Sequence, residues 1–237
     1  MKKQDRILIC LFSISSILLP IKSQASSVNY KKIIGTATDA NRKIVYIEEH
    51  TIKKNKGRVV GSTTIYKNAQ KNIIAMLRSD YRKSLTLPVY RFDDQRHGIS
   101  EGISQDAKGY FSYYKDRKTP QKIYRIAKGS KNIFAGQGWH YFLLKNLTRP
   151  SLIPKNIDMV FPSRATTYSL SIRKTFENPS TVKYQMSFSN IIIQLVAPTM
   201  TSTYDKNAKK MIRYEGPSNI LTSNEELQNV TITYEYK

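Results

Sequence analysis

Ile44-Val45-Tyr46-Ile47-Glu48-Glu49-His50-Thr51-Ile52 is the stretch that decides the fold class. In an extended chain, successive side chains point to opposite sides. Ile44, Tyr46 and Ile52 therefore share one face with Glu48 and His50. Residues 58–66 repeat the habit, with Val60, Ser62, Thr64 and Tyr66 on one side. Working outward, period-two runs recur at 72–81, 110–115, 122–127, 166–176, 182–188, 190–203, 209–214 and 230–236. They are rich in Ile, Val, Thr and Tyr, which suit a pleated surface. Between them lie turn-forming groups such as Asp39-Ala40-Asn41, Asn55-Lys56-Gly57, Lys67-Asn68-Ala69 and Asn178-Pro179-Ser180. Short turns between successive strands make hairpins, so the runs predict a mainly antiparallel meander.

One stretch breaks the period. In Gly138-Trp139-His140-Tyr141-Phe142-Leu143-Leu144-Lys145-Asn146-Leu147, the residues Trp139, Phe142 and Leu143 fall at helical spacing. Pro150 and Pro154 end it. This spacing predicts one helix near 138–148, packed by its apolar face on the concave side of the sheet. Trp139, Phe142 and Leu143 are the expected ligand-contacting residues if that concavity holds a ligand.

The first twenty-five residues carry an address. Lys2, Lys3 and Arg6 precede an apolar run from Ile7 to Leu19, and Ser23-Gln24-Ala25 supplies a small-residue cleavage site. The run is shorter than the ~20 residues a bilayer span needs. The expectation is a signal peptide at 1–25 and a single antiparallel β half-barrel domain at 26–237, soluble in a bacterial periplasm. The only cysteine, Cys10, leaves with the leader, so the mature chain forms no disulfide and no thiolate metal site.

The formal charge is +22. Lys2, Lys3, Arg6 and Lys22, less Asp5, account for three of these, leaving +19 on the mature form. Such a charge draws the chain to anionic membrane surfaces and polysaccharides. The basic residues are scattered in pairs, such as Lys53-Lys54 and Lys209-Lys210, with no longer block of one sign, which argues against a nucleic-acid partner.

Signatures of catalysis are missing. No G-x-S-x-G, phosphate loop or G-x-G-x-x-G occurs. His50, His97 and His140 show no metal-ligand spacing, so no cofactor or metal is expected. Asp93-Asp94-Gln95-Arg96-His97-Gly98 reads as a turn closed by Gly98 with local Asp–Arg pairing. Arg213-Tyr214-Glu215-Gly216-Pro217-Ser218-Asn219-Ile220 reads as a structural corner: Gly216-Pro217 turns the chain, while Tyr214, Ser218 and Asn219 hold it.

Three blocks carry a resemblance. They are residues 72–98 with Asp94-Gln95-Arg96-His97-Gly98; Gly136-Gln137-Gly138-Trp139-His140-Tyr141-Phe142; and Tyr204-Asp205 with the 213–220 corner and the final Val230-Thr231-Ile232-Thr233-Tyr234 strand. Together they resemble a family of exported bacterial proteins of unknown function, which looks like a distant relative of the periplasmic lipoprotein carriers LolA and LolB. The resemblance implies a curved antiparallel half-barrel whose concave face holds acyl chains. Those carriers have several helices where this chain shows one, so lipoprotein transport is not carried over. The expected function is non-catalytic binding of a lipid or other amphipathic ligand in the concave sheet. The alternative is an envelope structural or interaction protein with a filled core and a basic face.

Overall fold

The structure is a computed structural model and describes residues 28–127, 132–147, 149, 151 and 153–237. The proposed leader, with its cleavage site and Cys10, lies outside the described residues. Fifteen strands are described: β1 Val28–Thr38, β2 Ile44–Asn55, β3 Arg58–Lys67, β4 Ile73–Asp80, β5 Val89–Asp94, β6 Ile99–Asp106, β7 Gly109–Lys115, β8 Lys122–Arg125, β9 Ile133–Phe134, β10 Asn156–Phe161, β11 Thr166–Glu177, β12 Thr181–Phe188, β13 Met200–Asp205, β14 Lys210–Pro217 and β15 Asn229–Tyr236. Helix α1 spans Gly138–Asn146 and helix α2 Ile191–Val196.

All fifteen strands form one sheet, in the order β8-β7-β6-β5-β4-β3-β2-β1-β15-β14-β13-β12-β11-β10-β9. Every neighbouring pair is antiparallel except β9 and β10. The sheet is curved and open, as expected of a half-barrel. No pairing joins the edge strands β8 and β9 among the described residues. Instead a 3-10 turn at Pro162–Arg164, between β10 and β11, packs on β6, β7 and β8. The Lys122 ammonium donates to the Ser163 carbonyl there at 3.3 Å.

The hairpins follow from their turn residues. Asp39 Oδ1 accepts from the amides of Asn41 and Lys43, and Asn68 Oδ1 accepts from those of Gln70 and Asn72. Each places the residue before the last in a left-handed conformation, Arg42 and Lys71. Between β2 and β3, Lys56 and Gly57 both have positive φ, the requirement of a two-residue hairpin turn that matches strand twist. The 93–98 segment forms the expected turn, with Arg96 forked on Asp94 and Gly98 at φ +64°.

The β2 alternation holds. Tyr46, Glu48, His50 and Ile52 all point inward and are buried. Ile44 departs from it. Ala37 pairs with Tyr46 but Thr38 with Ile44, so Val45 is an extra residue in a β-bulge. The bulge turns Ile44 out to solvent and sets Val45 against the core. A second departure is the 190–203 run. Its first half is α2, because Asn190 caps the helix by accepting from the amides of Ile192 and Ile193. Ile191-Ile192-Ile193 does not alternate, and an unbroken apolar run of this length cannot separate strand from helix by period. β1, β5, β6, β9 and β10 lie outside the runs that the periodicity identifies.

Two buried clusters line the concave side. The first lies under β1–β6 and β15 and includes Ala37, Tyr46, Tyr66, Leu77, Phe92, Ile103 and Ile232. The second lies under β9–β13 and includes Phe134, Leu143, Leu147, Ile157, Leu170, Met186 and Tyr204. α1 runs between them.

Candidate functional site

The first cluster is not completely filled. A cavity of about 370 Å³ opens between the β1–β6 and β14–β15 walls and α1. Its axis can be read along β2. Lys54 stands at the rim, then Ile52, His50, Glu48 and Tyr46 follow inward, two residues apart. At ~3.3 Å per residue, rim to Tyr46 is roughly 26 Å. The lining is layered in the same order. Lys31, Lys54 and Lys209 form a cationic mouth; Val59, level with Lys54, and Ile52, level with Lys31, begin an apolar neck with Met211 and Leu144, and Ile33 stands beside His50 at its lower end. Below lie polar groups and rings: His50, His140, Glu48, Tyr234, Tyr66 and Trp139 among them.

The polar floor exists because of one glycine. Gly35 on β1 pairs with Glu48 on β2 and with Tyr234 on β15, so the three stand in one row. With no side chain in the middle, the outer two lean over the gap, and the Tyr234 hydroxyl donates to Glu48 Oε2 at 3.4 Å. A Cβ on Gly35 would sit 2.9 Å from the Tyr234 ring and 3.0 Å from Glu48 Oε2. The next row runs Ile33, His50, Thr64, Leu77, Phe92 and Glu101 across β1 to β6. His50 is held from both sides, Nε2 to Glu48 Oε2 and Nδ1 to Thr64 Oγ1, each at 2.8 Å. Carboxylate, imidazole and hydroxyl thus form a chain. Thr64 is completely buried and is not part of the cavity wall, so the chain orients His50 and offers no nucleophile to a bound molecule. Glu101 lines the same cavity with no hydrogen bond or ion pair among the described residues, and burial lifts its carboxyl to about 7.

α1 reaches the cavity through a close backbone crossing. A Cβ on Gly138 would lie 1.8 Å from the Thr86 carbonyl oxygen, so only glycine fits there. Of the residues expected to contact a ligand, the structure divides the set. Trp139 lines the cavity and packs against Tyr214, ring centroids 6.2 Å apart. Phe142 and Leu143 do not line it: Phe142 sits edge-on to Phe134 at 5.1 Å, and Leu143 is fully buried in the second cluster. The cavity side of α1 is instead His140, Tyr141 and Leu144, with Trp139 at its edge. Apolar spacing overlooked it because two of the four are polar. His140 stacks on Tyr204 with planes 10° apart and Nδ1 3.2 Å from its hydroxyl. Burial, then the facing His50, push its pKa down to about 4.

The 213–220 segment is braced as expected, but β14 runs on through Gly216 and Pro217, which pair with Val230 and Asn229, so the chain bends at Asn219-Ile220 and not at Gly216-Pro217; the segment is also cavity wall. The Tyr214 hydroxyl donates to the Pro217 carbonyl at 2.9 Å. Ser218 Oγ accepts from the Ile220 amide at 2.9 Å and meets the Tyr46 hydroxyl at 2.8 Å. Asn219 Nδ2 donates to the Tyr66 hydroxyl at 3.3 Å. Gly216 packs where a Cβ would come within 3.0 Å of the Thr199 carbonyl. Tyr214, Ser218 and Asn219 all face the cavity. Gly35, Glu101 and Lys31 carry no signal in the sequence, and Lys54, Lys209 and Lys210 read there only as scattered basic pairs. The polar pair Glu48 and His50 on an otherwise apolar face was the available signal.

Among the described residues no three His, Cys, Asp or Glu side chains gather as a metal group, and no helix is long and apolar enough to cross a membrane. Compared with known proteins, the chain matches no family model and no curated protein. Among solved structures it is similar to a beta-barrel-like protein of domain of unknown function DUF1849 from Brucella abortus. The two share 7% identity over 89% of this chain and 98% of that one, with a TM-score of 0.37. That pairing is too loose to carry a function, or the resemblance to lipoprotein carriers, from one to the other.

Proposed function

We propose that this chain is an exported, non-catalytic binding protein that holds an amphipathic ligand in its concave sheet. The observation that carries the reading is the layered cavity: cationic mouth, apolar neck, and a polar aromatic floor in about 370 Å³. Ligand sites run to ~300–1,000 Å³ with a few placed polar groups among apolar walls. The size suits one single-chain amphiphile. Trp139 is the chain's only tryptophan and lines the cavity, so its fluorescence reports occupancy directly. Titration with N-phenyl-1-naphthylamine is expected to quench Trp139 saturably, at one probe per chain. Absence of saturable quenching overturns the reading. Export rests on the 1–25 leader pattern, and the intact mass of envelope-recovered protein tests cleavage after Ala25.

One observation favours the rival reading, an envelope interaction protein. α2 leaves Ile191, Ile192 and Leu195 each at least 70% exposed on a strongly basic chain. Apolar side chains beside excess positive charge suit an anionic membrane surface. Sedimentation with anionic but not neutral vesicles, lost in the Ile192→Ser/Leu195→Ser variant, would support this second role.

A further inference from the structure

The cavity mouth collects cations. Lys31 of β1, Lys54 of β2 and Lys209 of the turn before β14 line the cavity with Tyr236, and Lys210 of β14 stands over the same ring. The ammonium groups of Lys31 and Lys210 lie 4.7 and 4.8 Å from the centroid of that one ring. None of the four pairs with a carboxylate among the described residues. Elsewhere Lys67, Arg82, Arg96, Arg125 and Lys174 each hold one. Crowding is felt: burial, then Lys210 and Lys54, lower the pKa of Lys31. An arrangement that brings like charges together without a counter-ion is stabilised by an anion placed among them.

Resting on the amphiphile-binding reading above, we propose that this mouth seats an anionic headgroup, a phosphate or a carboxylate. Lys31, Lys54, Lys209 and Lys210 act as its counter-ions, and its single chain enters the neck of Ile52, Val59, Met211 and Leu144, with Ile33 at its lower end. The order of the layers sets the orientation. Beside the cations the wall is apolar, Val59 level with Lys54 and Ile52 with Lys31, so a small free anion finds charge but no second contact. An amphiphile gains both. Lys54 and His50 are four positions apart, so roughly 13 Å of wall lies between the outermost lysine of β2 and the polar floor. That depth suits a chain of medium length.

The test compares decyl phosphate, decyltrimethylammonium and inorganic phosphate, each below micellar concentrations, by Trp139 fluorescence and calorimetry. Decyl phosphate is expected to bind at least about tenfold more tightly than decyltrimethylammonium, the worth of one charge-assisted hydrogen bond. Inorganic phosphate is expected to show no saturable binding over the same range. In Lys31→Gln/Lys54→Gln/Lys210→Gln, the headgroup preference should fall to within about threefold, the worth of an exposed ion pair. The control Lys43→Gln/Lys71→Gln/Lys115→Gln removes equal charge at the opposite end of the barrel and should keep the full preference. Equal or tighter binding of the ammonium amphiphile overturns the headgroup assignment and leaves the cavity reading standing. So does an equal loss of preference in the control variant. Phosphate binding as tightly as decyl phosphate identifies a free-anion site and overturns the amphiphile. If neither decyl compound binds, the cavity reading itself fails.

Discussion

One helix separates two interiors that were solved differently. Toward β9–β13, α1 and its C-cap present Phe142, Leu143 and Leu147 to Phe134, Ile157, Leu170 and Met186, and these pack into one cluster. Toward β1–β6 it presents His140, Tyr141 and Leu144, and about 370 Å³ stays open. The difference lies in what the facing strands supply. The filled side offers mainly aliphatic and thioether groups that change rotamer to close gaps. The open side offers large rings tied at their hydroxyls: Tyr46 to Ser218, Tyr66 to Asn219, Tyr214 to Pro217, Tyr234 to Glu48. A ring anchored at its far end cannot swing inward to fill a void without breaking its bond. Hydrogen bonding therefore props this half open, and space is the result.

The largest expected effect tests the filled half. Leu143→Ala should cost about 3 kcal/mol in denaturant unfolding and leave probe affinity unchanged. Leu144→Ala, one residue along but facing the cavity, should cost roughly 1 kcal/mol and alter probe affinity several-fold. Equal destabilisation by both would erase the distinction between the halves.

Nearly as large, but hidden in the native protein, are two opposed titrations in the open half. His140 is held down near 4, so its contribution is complete above pH ~6.5 and is lost as pH falls toward 4. Glu101 is held up near 7, so its contribution is complete below pH ~4.5 and is lost as pH rises toward 7. Each shift is worth about 3 kcal/mol, and across pH 4.5–6.5 they cancel. The wild-type stability profile should be flat there. Glu101→Gln should expose a profile that falls on acidification, and His140→Asn one that falls on alkalisation. The lowered carboxyls of Asp116 and Glu177, both near 2, act below this window. Parallel profiles for both variants would contradict the assignment.

A smaller effect sharpens the same contrast. Gly35→Ala should cost about 2 kcal/mol, because its Cβ intrudes on Tyr234 and Glu48. It should also abolish probe binding by displacing the floor. The smallest is Asn219→Ala, expected to cost about 1 kcal/mol for a single 3.3 Å bond to Tyr66. Unchanged stability with lost binding would make that corner a ligand contact first and a brace second.

The sequence made some of this legible and hid the rest for definite reasons. Alternation in β2 grouped Tyr46, Glu48, His50 and Ile52 on one face, which the structure turns inward, because a one-sided strand must repeat every second residue. Asx turns and Lys56-Gly57 marked the hairpins, and a helix near 138–148, observed over Gly138–Asn146, followed from its broken period. The β1–β15 pairing was not legible, since contacts between distant segments leave no local pattern. Glu101 sits in Ile99–Asp106, whose alternation is too weak to assign a face. Gly35 acts through the side chain it lacks, which only the register reveals. The cavity face of α1 escaped because apolar spacing counts Phe142 and Leu143 and passes over His140 and Tyr141.

The most direct test of the central claim, that the space beside the filled core belongs to a ligand, is native mass spectrometry of protein purified from its own host. The account predicts a non-covalent adduct of one single-chain amphiphile per polypeptide, released on activation and absent from Gly35→Ala. A bare polypeptide mass under conditions that preserve the folded charge states would contradict it.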